Sequence, residues 1–310
     1  MPSGAFPGAA AAGFRVSDLL SVLFMAALWG GAFLLMRIAV PDFGPVPLVF
    51  VRVVIGAGCL LPVIIARGEW PALRRHWRSL LMLSALNAAL PFPLFTYATG
   101  QLSAGFASIL NATAPLFAAV VAALWLGDRL RPVALLGLAL GFAGVVLLAG
   151  EVPRFGPGAG LAIAAALLAC LCYGISASFV KRRLADVSAW VTTTGGFGLA
   201  IPLLAPATAV TWPAEWPGTR AWWAVAVLAI ACTSIPNIFY FRLLQRAGPT
   251  RAMTVAFLIP AFGMLWGALV LNEEVSLRML AGCVVILLGT ALVTTAPATW
   301  ARLLRRPPST

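Results

Sequence analysis

Histidine occurs once in this chain, as His76, and acidic residues occur only nine times in 310 positions. Acid–base and metal-assisted chemistry need carboxylates and imidazoles gathered at one place. Here Asp42, Asp128, Glu151, Asp186, Glu273 and Glu274 fall in loops or at the ends of apolar runs. Neither a catalytic site nor a metal site is expected. The five cysteines, Cys59, Cys170, Cys172, Cys232 and Cys283, all lie inside apolar runs, and Cys170 and Cys172 point to different faces of a helix. They make no disulfide framework. No phosphate-binding glycine loop is present, so no cofactor is expected and ATP is not an expected energy source.

What the chain has is apolar length. Hydrophobic residues make up 62% and charged residues 10%, with a mean hydropathy of +0.99, a balance foreign to soluble domains. A bilayer core about 30 Å thick needs roughly 20 apolar residues per helical span. Ten runs qualify, near 17–40, 46–66, 79–99, 104–126, 132–150, 158–180, 187–207, 221–242, 250–271 and 276–296. The expected fold is therefore an all-α membrane protein of ten transmembrane helices. Residues 1–16 are Ala/Gly/Pro-rich and read as a disordered cytoplasmic segment without the basic start of a signal peptide. Residues 151–157 read as an extracytoplasmic linker and 297–310 as a basic cytoplasmic tail.

Basic residues give the orientation, since Lys and Arg in short loops stay on the cytoplasmic side. Sixteen lie on one side: Arg15, the loops around Arg67–Arg78, Arg129–Arg131, Lys181–Arg183 and Arg242–Arg251, and the tail. Arg37, Arg154, Arg220 and Arg278 lie on the other, and Arg52 lies within a span. Both termini are thus expected in the cytoplasm. The net charge of +12 is dealt out along one membrane face, so it reads as topology and not as a nucleic-acid surface.

The two halves repeat each other. Adding 145 carries Pro91, Pro115, Leu126, Gly137 and Gly144 onto Pro236, Pro260, Leu271, Gly282 and Gly289, and Asp128 onto Glu273. A shift of 144 carries Trp29, Gly30 and Arg37 onto Tyr173, Gly174 and Lys181. Residues 17–150 and 158–296 are thus read as two five-helix units. Five is odd, so the second enters the membrane from the opposite side. Inverted repeats are an architecture by which secondary transporters expose one site alternately to each side.

Three stretches carry a family resemblance: WGGAF at Trp29, SAGFASILNATAPLFAAVVAALWLGDRL from Ser103, and GPTRAMTVAFLIPAFGMLWGALVLNEEV from Gly248. In this order they resemble the EamA repeats of the drug/metabolite transporter superfamily, over nearly the whole chain. The resemblance implies two inverted five-helix halves around a central cavity and export of small metabolites, often amino acids, including aromatic ones. The family's Gly-Glu after the fourth and ninth spans stands here as Gly127-Asp128 and Asn272-Glu273. Charge sign is kept, so the expected role is positional.

Helical spacing selects candidate cavity residues. Ser84, Asn87 and Pro91 form one stripe; Ser108, Asn111 and Pro115 form another; Thr233, Pro236, Asn237 and Tyr240 a third; and Tyr173 aligns with Ser176. At 1.5 Å per residue Asn87 lies about 12 Å from the inner edge and Asn111 about 10 Å from the outer. Amides at that depth avoid lipid and face protein or water. Trp29, with Met25, Phe33 and Met36, makes an apolar face on the first span. The candidate lining is Trp29, Asn87, Asn111, Tyr173, Ser176, Asn237 and Tyr240, against the plainer reading that such groups join helices. Trp266 reads as interfacial or packing.

Candidate moving parts are the mid-span prolines Pro91, Pro115, Pro236 and Pro260, each removing a backbone hydrogen bond, and the acids Asp128 and Glu273. Arg52 lies about 9 Å from its outer edge, and either snorkels, pairs internally, or serves a gate or an anionic substrate group. Gly137/Gly141 and Gly263/Gly267 have the spacing of close helix contacts, within one chain or between two. The expected partners are a small-molecule substrate and the lipid bilayer of a bacterial cytoplasmic membrane, with monomer or homodimer left open. Neutral or zwitterionic metabolites fit best, amino acids first; amphipathic drugs are the alternative, and a polytopic membrane enzyme or a receptor is disfavoured. With no buried carboxylate to carry protons, facilitated movement down the substrate gradient is expected.

Overall fold

The computed structural model describes residues 16–236, 239 and 255–294. Eight helices are long and apolar enough to cross a bilayer, and two shorter apolar helices complete a set of ten. We number them α1 (Leu19–Phe43), α2 (Pro45–Ala66), α3 (Trp77–Gln101), α4 (Ala104–Leu126), α5 (Pro132–Ala149), α6 (Ala159–Arg183), α7 (Ala189–Thr211), α8 (Thr219–Ser234), α9 (Val255–Leu271) and α10 (Leu277–Thr294). Each overlaps one of the ten runs read from the sequence, the end of the eighth run and the start of the ninth lying outside the described residues, and the described residues contain no strand. The chain is a multi-pass membrane protein.

The pairing of helices follows the duplication. α1 packs on α9 as α6 packs on α4; α3 packs on α6 as α8 packs on α1. Three pairings are their own mates under the same exchange: α5 with α10, α2 with α7, and α4 with α9. Contacts between halves thus obey a pseudo-twofold relation, the geometry of an inverted repeat.

Backbone irregularities repeat as well. Ala85–Ala89 in α3 and Ile230–Ser234 in α8 are π-helical, at an offset of 145, and each lies just before a proline, Pro91 or Pro236. A proline ring clashes with the carbonyl one turn earlier, and a widened turn relieves that clash. The other proline pair behaves differently. α4 breaks between Asn111 and Ala114, ahead of Pro115, whereas α9 runs unbroken through Pro260. The break is stapled from two sides: Thr290 Oγ1 donates to Ala112 O at 3.0 Å, and Cys170 Sγ to Leu110 O at 3.5 Å.

The departure at Gly127-Asp128 and Asn272-Glu273 has a backbone reason. Gly127 has φ 73° and Asn272 φ 54°, both left-handed. Asn is among the few residues besides Gly that tolerate this region. Asp128 N–H donates to Ala122 O and Glu273 N–H to Gly267 O, the same closing bond one repeat apart. The two ends therefore share the left-handed residue and the closing bond that follows it, although α4 finishes in a π-helical turn at Ala122–Leu126 and α9 stays α-helical to Leu271.

The glycine pairs turn out to be contacts within one chain. A Cβ on Gly289 would lie 2.5 Å from Gly141 N and 2.6 Å from Gly137 O, so α5 and α10 touch backbone to backbone. Gly263 faces Ser108 and Gly267 faces Gly105 N across the α4–α9 seam, and Gly267 also touches the Glu273 carboxylate just beyond its own helix. Both seams join the two repeats.

Candidate functional site

A central cavity of about 510 Å³ lies between the repeats. α1 gives it Trp29, Phe33 and Met36; α3 gives Asn87, Phe92 and Phe95; α4 gives Asn111; α6 gives Tyr173; and α8 gives Cys232 and Thr233. The walls are mainly aromatic. Phe95 and Tyr173 stack with centroids 6.1 Å apart and an interplanar angle of 17°, and Phe33 meets Phe95 edge-on at 5.8 Å. The amides of Asn87 and Asn111 are half-buried and reach this space. No Asp or Glu lines it among the described residues.

Arg52 is buried, 7% exposed, and lines the cavity instead of snorkelling to the surface. Its Nε donates to Thr233 Oγ1 at 3.0 Å, its Nη1 approaches Met36 Sδ at 3.9 Å, and its guanidinium sits 4.1 Å from the centroid of the Phe92 ring. Thr233 Oγ1 in turn donates to Leu228 O at 2.9 Å, so the hydroxyl fills the widened turn of α8 while accepting from the arginine.

Other candidates fall elsewhere. Ser176 lies outside this cavity, buried on α6, and donates to Asn87 Oδ1 at 3.3 Å. It borders a second cleft of about 480 Å³, lined also by Leu83, Val180 and Thr192, which shares Asn87, Tyr173 and Phe197 with the central cavity. That cleft leads toward the basic, cytoplasmic ends of α3 and α6. Ser84 is buried away from the cavity, and Ser108 turns back on its own helix, donating to Gly105 O at 2.7 Å. Met25 packs with Val22 and Val255 in a separate cluster. Trp266 packs, its Nε1 donating to Ala27 O at 3.0 Å. Asn237 and Tyr240 lie outside the described residues.

Sequence spacing missed Phe92, Phe95 and Phe197. Extending the Ser84–Asn87–Pro91 stripe by four residues reaches Phe95, so that signal was present. Phe197 sits in a run of Thr and Gly on α7 without a stripe to mark it.

On the extracytoplasmic side polar contacts link the two repeats. Glu273 accepts from Ala104 N–H with both carboxylate oxygens at 2.9 Å and from Gly105 N–H at 3.4 Å, capping the start of α4. Arg37 Nε lies 3.8 Å from the same carboxylate, and its Nη1 donates to Thr99 O and Gly100 O at 2.8 Å. An outer vestibule lined by Arg37, Asp42, Arg220 and Glu273 shares no lining residue with the central cavity. On the cytoplasmic side Asp128 pairs with Lys181 at 2.9 Å, both well exposed. Arg37–Glu273 and Lys181–Asp128 are the same pair under the repeat, each linking one half to the other.

A sequence model of the EamA-like transporter family matches residues 17–150 and 160–295. The chain is 26% identical over 291 residues to the uncharacterized transporter YvbV of Bacillus subtilis, covering 91% of this chain and 92% of that one. It is 24% identical over 287 residues to the uncharacterized inner membrane transporter YedA of Escherichia coli K12, covering 90% and 92%. A solved crystal structure superposes with a TM-score of 0.64 at 24% identity, over 90% of this chain and 98% of the other.

Proposed function

This chain belongs to the EamA-like transporter family, and from that premise we propose that it carries small neutral or zwitterionic metabolites, amino acids foremost and aromatic ones among them, out of a bacterial cell across the cytoplasmic membrane. The observation that carries this reading is the cavity itself: about 510 Å³, with six aromatic rings in its lining, amides at Asn87 and Asn111, and an adjoining cleft toward the cytoplasmic side. Pockets of this size and lining suit a flat or aliphatic body with a few polar groups. Trp29 and Tyr173 offer ring faces, and the two amides offer donors and acceptors.

Movement follows from the pairing of the repeats. Here the outer side is closed by the Glu273 cap on α4, and the cavity communicates inward. Exchanging the conformations of the two halves gives Asp128 the capping role at the start of α9 and opens the outer side. Pro91 and Pro236, each following a widened turn, are the matched flexible points. Among the described residues no carboxylate lines the cavity to carry a proton, and we infer that transport runs down the substrate gradient.

The test is counterflow in proteoliposomes with a panel of labelled amino acids and amphipathic cations, with and without a pH gradient. Amino acid exchange is expected, weakened at least about tenfold by Asn87→Ala or Asn111→Ala, and indifferent to the pH gradient. Movement of cations alone would overturn the substrate class. Unchanged transport in both Asn variants would remove them from the site.

A further inference from the structure

We propose that Arg52 is the carboxylate anchor of the cavity, and that the transported solutes are small amphipathic carboxylates, whether zwitterionic or anionic. This rests on the reading of the central cavity as the substrate site and replaces neutral solutes by carboxylates among what enters it.

The guanidinium is buried in the middle of a membrane-spanning bundle, where a charge is tolerated only with compensation. Its five N–H donors have two acceptors among the described residues, Thr233 Oγ1 and the weak Met36 sulfur. No carboxylate lies within ion-pair distance among those residues. The ring of Phe92 covers one face of the guanidinium, fixing the plane of the group and leaving its edge to the cavity. A planar fork held by its face and by Nε suits a carboxylate, which it can meet with two parallel bonds. The site is thus built from a positioned cation with no anion beside it among the described residues.

The anchor occurs once. In the second repeat the position of Arg52 is taken by Thr192, and in the first repeat the position of Thr233 is Ala88. Both members of the contact break the internal symmetry, so the duplicated scaffold holds one anion site and not two. Thr233 stands on the π-helical turn ahead of Pro236, so the anchor joins α2 of the first half to the flexible point of the second. A carboxylate bound here bears on the seam that must rearrange.

The rest of the cavity sets the remainder of the solute. Neutral polar groups, Asn87, Asn111 and Tyr173, line the same cavity from α3, α4 and α6. They accept hydrogen bonds from an ammonium without demanding one. A body lacking the carboxylate loses the interaction with Arg52; a body lacking the ammonium leaves only solvated or mutually bonded amides.

The experiment compares phenylalanine, 3-phenylpropionate and phenethylamine as competitors of counterflow into proteoliposomes. For the wild-type chain we expect both carboxylates to compete and phenethylamine to be weaker by about tenfold to a hundredfold, the range of a hydrogen-bonded charge contact. Arg52→Gln is expected to weaken the two carboxylates by that factor and leave phenethylamine unchanged, and Arg52→Lys to recover part of the loss. A wild-type ranking led by phenethylamine overturns the anchor and needs no variant. So does an Arg52→Gln chain that weakens all three compounds equally, which makes Arg52 a staple between α2 and α8. If a neutral or cationic solute is carried while no carboxylate competes, the anchor fails and the transporter reading stands; if no solute of any class moves, the transporter reading fails.

Discussion

Replacing Glu273 by Gln should open the extracytoplasmic side of the protein. The carboxylate is 13% exposed, accepts from Ala104 and Gly105 N–H at the start of α4, and lies 3.8 Å from Arg37. Gln keeps the shape and one neutral acceptor. Exchanging a charged for a neutral hydrogen bond removes about 1 kcal/mol, and the lost interaction of a negative charge with a helix N-terminus removes about 0.5–1 more. The half-exposed Arg37 adds only a few tenths, about 0.3 kcal/mol. Together these make about 2 kcal/mol, or roughly a 30-fold shift away from the outward-closed state. Cys232, which lines the cavity, is a native reporter once the other four cysteines are replaced. An impermeant maleimide added outside right-side-out vesicles should label it roughly 10–30 times faster in Glu273→Gln. Asp128→Asn should act in the opposite sense, slowing the labelling, because its cap belongs to the other state. An unchanged rate in Glu273→Gln, or both variants moving the same way, refutes the argument.

Two further outcomes bear on the scaffold. Gly289→Ala places a methyl 2.5 Å from Gly141 N and should cost about 1–3 kcal/mol in detergent unfolding by overpacking; Gly160→Ala, with nothing within 4 Å, should cost nothing, and equal losses would remove the close seam. Asn272→Gly should preserve the left-handed helix end and the Glu273 cap, whereas Asn272→Val should lose about 1–2 kcal/mol, read as a lowered midpoint; a Val variant as stable as wild type would contradict the φ argument.

The spans, their number and the inversion were legible because membrane insertion is governed by run length and loop charge, both written linearly. The repeat also foretold paired acids and paired prolines. It could not say that Pro91 and Pro236 would be absorbed by widened turns while Pro115 breaks its helix and Pro260 does not, since that depends on which neighbours staple the freed carbonyls. Thr290 and Cys170 supply the staple at α4. Depth alone could not decide Arg52: rise per residue gives its height but not its direction, and only the rotation of α2 against α8 turns it inward. Ser108 and Ser176 carried the same polar spacing as Asn111 and Asn87, yet a short hydroxyl bonds its own or a neighbouring helix where an amide reaches the cavity.

The two classes of helix pairing have different thermodynamic weight. In the proposed cycle the glycine seam of α5 and α10 maps onto itself, so a substitution there weighs on both states alike. A contact with a counterpart elsewhere, such as α1 on α9 and α6 on α4, would under that proposal exchange with it, so a substitution there is expected to tilt the cycle. Selection can therefore set the resting direction through one group of residues and the durability of the fold through another, with little crosstalk between them.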